Sequence, residues 1–68
     1  MTKAEIKNRV ERQWEGNMNI FEIYDELRDN HTAEEQEQLL THAYNFFSLQ
    51  DAKNLIKELA YHFNIHIV

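Results

Sequence analysis

Apolar residues recur along most of this chain at the three- and four-residue spacing of a single helix face. Ile6, Val10 and Trp14 form one narrow row with charged residues to either side. Ile20, Ile23, Tyr24 and Leu27 follow at i, i+3, i+4, i+7. A third row holds Leu39, Leu40, Ala43, Tyr44 and Phe47, and a fourth Ala52, Leu55, Ile56, Leu59 and Phe63. The rows predict four short helices, over about 3–15, 20–29, 33–47 and 49–62.

End signals agree with these limits. Thr2-Lys3-Ala4-Glu5 and Thr32-Ala33-Glu34-Glu35 both have the spacing at which a hydroxyl and a carboxylate reciprocally satisfy the free amides of a helix start. Asn19 with Glu22, and Ser48 with Asp51, are weaker versions of the same signal. Gly16, the single glycine, suits the left-handed position that ends a helix, with a turn through Asn17 and Met18. Asn30-His31 ends the second helix, and the tight junction at Ser48 makes the last two helices antiparallel or steeply crossed neighbours. From Phe63 to Val68 the pattern becomes alternating and β-branched, which predicts an extended apolar tail that docks on the bundle or pairs with its copy. No repeat, linker or low-complexity run divides the chain. The expected fold is all-α: a compact, single-domain bundle of four short helices over residues 1–68, with that tail.

Composition narrows what can hold such a fold together. A chain of 68 residues without cysteine has no disulfide and no thiolate-bound zinc, so helix packing or self-association must suffice. A homodimer is therefore expected, with Ile6, Val10 and Trp14 and the tail residues Ile65 and Ile67 as candidate self-association surfaces. The alternative for the first row is docking within its own chain. Phe21 and Phe46 lie beside their helices' apolar faces, and Trp14 ends the narrow first row; any of the three left outside the core is a natural interface anchor, although burial in the bundle is the plainer expectation.

The side chains present argue against catalysis. Cysteine is absent, Thr2, Thr32 and Ser48 are assigned to helix caps, and one glycine cannot build a phosphate-cradling loop. No catalytic residue, cofactor or metal is expected. Glu58, His62 and His66 would share a face only if the last helix ran on through the tail, and Asn64 with the residues after it argues that it stops. His31 reads as a loop residue and His42 as a polar-face residue of the third helix. The charged start and the lack of a long apolar stretch predict neither a secretion signal nor a membrane span, and hence a cytoplasmic protein.

Charge carries the functional signal. The formal net charge is −5, and the acidity is local: residues 22–37 hold Glu22, Asp25, Glu26, Asp29, Glu34, Glu35 and Glu37 against one base, Arg28. Glu22, Asp25, Glu26 and Asp29 fall at i, i+3, i+4, i+7, a stripe opposite the apolar row of the second helix. Four charges over roughly 10 Å give one per ~3.5 Å, close to the spacing along one DNA strand. This pattern predicts a regulator or inhibitor that offers an acidic face to a basic protein, a class that includes nucleic-acid-binding proteins and so admits DNA mimicry. A plain solvated face has the same spacing. A second reading is a helix-turn-helix-like DNA-binding regulator using Gln50, Lys53, Asn54 and Lys57 of the fourth helix, weakened by the scarcity of base in a net acidic chain. A third is a structural subunit of a larger assembly.

Overall fold

The computed structural model describes residues 1–14 and 19–67. Gly16 and the turn through Met18 lie outside the described residues. Among the described residues the chain forms four helices and no strand, with the first helix changing type midway. Helix α1 (Lys3–Asn8) continues as a π-helical segment (Arg9–Trp14), followed by α2 (Ile20–Asn30), α3 (Ala33–Phe46) and α4 (Gln50–His62). No helix among these residues is long and apolar enough to cross a membrane.

Both strong capping boxes form. The hydroxyls of Thr2 and Thr32 accept from the backbone N–H of Glu5 and Glu35, whose carboxylates accept in return from the backbone N–H of Thr2 and Thr32. Asn19 Oδ1 accepts from the backbone of Phe21 and Glu22. Ser48 is a correction: the residue before α4 is Leu49, an exposed apolar side chain that makes no capping hydrogen bond. The end of α2 is tied down from outside instead, because Gln36 Nε2 of α3 donates to the carbonyl of Leu27 at 2.8 Å, one of the acceptors a helix end leaves free.

The π segment has a packing rationale. In an α-helix four residues advance about 400°, so an i, i+4, i+8 row drifts about 40° at each step. The wider π turn, closed by i→i+5 hydrogen bonds, carries more residues per turn and reverses that drift. Ile6, Val10 and Trp14 consequently share one face, at 7%, 0% and 3% exposure. This face packs on α3, and the row is thus part of the core of its own chain. Self-association through it would require opening the core.

The core joins that row to Ile23 and Leu27 of α2, Leu39, Leu40 and Ala43 of α3, Phe47, and Ile56, Leu59 and Ala60 of α4. Helices α3 and α4 pack closest together, as the short junction required. Among the described residues no buried polar or charged residue interrupts this cluster. Among the described residues the buried indole N–H of Trp14 has no acceptor.

Helix α4 ends in a Schellman turn. The N–H of Ile65 donates to the carbonyl of Ala60 at 2.8 Å, and that of Asn64 to Tyr61 at 3.1 Å, with Asn64 at φ 57°. Ile65 and Ile67 beyond it pack, half-buried, against the core. The turn carries His66 out of helical register with Glu58 and His62. Asn64→Val, a β-branched side chain at positive φ, is expected to destabilise the protein by about 1–2 kcal/mol, whereas Asn64→Gly should melt no lower than the wild type. Thermal melts of the two variants check this.

Candidate interaction face

The acidic block predicted from sequence is divided by the fold into two sets with different surroundings. Glu26 and Glu35 turn towards His31, whose side chain is only 8% exposed. Imidazole Nε2 lies 3.5 Å from Glu26 Oε1, and Nδ1 lies 3.5 Å from Glu35 Oε1. Each carboxylate also faces a cation: Arg9 Nη1 of the π segment is 3.1 Å from Glu26, and the amino group of Met1 is 3.0 Å from Glu35. Five ionisable groups thus form a chain, Met1–Glu35–His31–Glu26–Arg9, that connects the first helix with α2, the α2–α3 turn and α3. His31 lies in the α2–α3 connection, as its sequence position suggested, and its side chain is tucked between the two carboxylates. The hydrogen bond from the Met1 amino group, reinforced by the Thr32 backbone, holds the Glu35 carboxyl down at about 2. The same bond raises the Met1 amine above its ordinary value.

The second set stays at the surface. Glu22, Asp25 and Asp29 are exposed along the outer side of α2, whose inner side buries Ile23 and Leu27. Arg28 reaches into this row, with Nη2 3.3 Å from Asp25 and Nε 2.9 Å from Asp29. Its hydrogen bond lowers the Asp29 carboxyl and raises the guanidinium in turn. Such exposed pairs contribute little to stability. With Glu26 drawn inward, three carboxylates share about 10 Å of helix, one per ~5 Å, a sparser row than the phosphates of a DNA strand. The four-charge match to phosphate spacing is therefore not kept. Glu34 and Glu37 are exposed on α3, where they line a groove against Lys3, Ile6 and Lys7 of α1, apart from the α2 row.

Of the residues of the DNA-binding alternative, Gln50, Asn54 and Lys57 are exposed on α4 and Lys53 is half-buried. The Lys53 ammonium donates to the carbonyl of Tyr44 and sits 4.7 Å from the centre of its ring, with the Lys57 ammonium 5.8 Å from the same ring. Gln50 and Asn54 hydrogen-bond one another at 3.0 Å. All four are engaged along α4 or with α3. His42, placed on the polar face of α3 from sequence, approaches Glu11 of the π segment at 2.8 Å and so joins α3 to the first helix. Among the described residues no group of three or more His, Asp or Glu side chains could hold a metal ion.

The three candidate aromatic anchors meet different fates. Trp14 is core and Phe46 half-buried, while Phe21 is 79% exposed next to Glu22. Sequence periodicity flagged Phe21 as off the main row but could not show how much of it stays exposed. The ionic chain was half legible, since His31 and Glu35 stand at i, i+4 on the sequence. The partners Met1 and Arg9 depend on where the first helix docks. The chain matches no protein-family model, no curated protein and no solved structure.

Proposed function

We propose that this is a small non-enzymatic interaction protein, a regulator or inhibitor that presents the outer side of α2 to a basic surface on a protein partner. The observation that carries the reading is the exposure of Glu22, Asp25 and Asp29 in one row, with the exposed Phe21 ring adjoining them. Carboxylates needed for folding would be placed like Glu26 and Glu35, against cations brought from other elements; of these three, Asp25 and Asp29 are met by Arg28 of the same helix, and Glu22 by no cation among the described residues. An acidic row steers a cationic partner and fixes its orientation, and an aromatic beside it supplies the apolar contact that charge alone does not. A net charge of −5 keeps nucleic acid away from the same side. Basic nucleic-acid-binding proteins belong to the partner class this face fits, without the phosphate-spacing match that strict mimicry needs.

The test is capture from nuclease-treated cell extract by the wild-type protein and by the variant Glu22→Lys, Asp25→Lys, Asp29→Lys, with Glu26 left intact. Proteins of basic surface are expected on the wild type and at least tenfold depleted on the variant. Equal recovery of the same proteins on both would reduce the row to a solvated face.

A further inference from the structure

Beside the acidic row lies a groove that none of the described residues fills. It runs between α2 and α4, is lined by Ile20, Phe21, Tyr24, Glu58, Leu59 and His62, and has a volume of about 360 Å³. Its floor is apolar: Leu59 is buried, and the Tyr24 ring packs on Phe63 at 5.3 Å between centroids. Phe21 forms one lip and is the large apolar side chain that the fold leaves uncovered there. An aromatic lip over an apolar trough is the arrangement into which amphipathic helices insert their apolar ridge.

The charges around the groove select the occupant. On α2 Asp25 stands one turn on from the lining residue Phe21, with Asp29 and Glu22 further round; on the α4 side Glu58 lines the groove and Asp51 shares its helix face at i−7. The lining holds His62 but no lysine or arginine, and Arg28, 5.6 Å from the centre of the Tyr24 ring, is already bonded to Asp25 and Asp29. A second copy of this acidic chain would bring rim against like-charged rim. The chain's own apolar tail is engaged elsewhere, around Ala60 and Tyr61 on another side of α4. We propose that the α2–α4 groove binds a cationic amphipathic helix of a partner protein, with its apolar ridge between Phe21 and Leu59 and its basic residues against Asp25 and Glu58. This rests on the basic-partner reading above and adds to it the site and shape of the contact.

A synthetic helical peptide of leucine and lysine, with leucine at i, i+3, i+4, i+7, is a suitable probe, titrated into the isotope-labelled full chain and followed by amide chemical shifts. Saturable shifts are expected over Ile20–Tyr24 and Glu58–His62. Phe21→Ala should weaken binding at least tenfold while melting as the wild type does, since that ring is mostly in solvent. The same peptide with glutamate for lysine should not bind. Unchanged affinity of Phe21→Ala, with shifts confined to Glu22, Asp25 and Asp29, would overturn the groove and leave the basic-partner reading standing. No binding of the lysine peptide, or equal binding of the glutamate peptide, would overturn both.

Discussion

Leu40→Ala is expected to leave the protein largely unfolded at room temperature. Leu40 is fully buried where α3 meets its neighbours, in a core that has no buried polar residue among those described. Truncating such a leucine costs about 2–5 kcal/mol, the loss of transfer energy plus the cavity left behind. A core in a chain this short supplies no more than about 3–5 kcal/mol in total. The two magnitudes overlap, so one substitution removes most or all of the margin. Circular dichroism with a urea titration reads the outcome directly. A cooperative transition close to the wild-type midpoint would show that the helices draw their stability from somewhere other than this core.

The second large effect is on acid stability. Glu35 titrates at about 2 in the folded protein against 4.5 for the ordinary group, chiefly because the Met1 amino group hydrogen-bonds it. Between those two values the unfolded chain binds a proton that the folded one does not. Stability therefore rises with pH across that window and is fully present above about 4.5. Acidification through the window withdraws it, and the Met1–Glu35 pair and the cradle around His31 open together. The Met1 amine works in the opposite direction: its folded value is raised above 8.0, so its contribution is complete below 8.0 and is lost as pH rises through the raised value. A melting temperature highest between the two limits is expected. Glu35→Gln should lower that plateau and flatten its acid side. If the melting curves of Glu35→Gln and wild type coincide from neutral pH down to about 2, the pair contributes nothing to folding.

Much of the architecture was legible because the signals were local. Thr2 and Thr32 cap where their spacing to Glu5 and Glu35 said they would, and the four apolar rows became the four buried faces. The departures come from long-range packing. Nothing within residues 9–14 announces a π turn; it answers the need to keep Trp14 on the face of Ile6 and Val10. Ser48 had the composition of a cap, but the chain starts α4 one residue later, after Leu49. The acidic stripe was visible as spacing, whereas its division was not, because Glu26 is drawn inward by Arg9 and His31, which the tertiary fold brings to it. Likewise the lysines of α4 read as a free polar face until Tyr44 of α3 is set beside them.

The division of the acids into a folding set and a surface set can be read from one comparison. Capture of basic proteins would be measured with two variants at a temperature where both are folded: Glu26→Gln with Glu35→Gln, and Glu22→Lys with Asp25→Lys and Asp29→Lys. Wild-type capture is expected of the first variant, despite a lower melting temperature, and loss of capture of the second, with a melting temperature near the wild type. Loss of capture by the first and retention by the second would contradict this division, placing the binding function on the folding set.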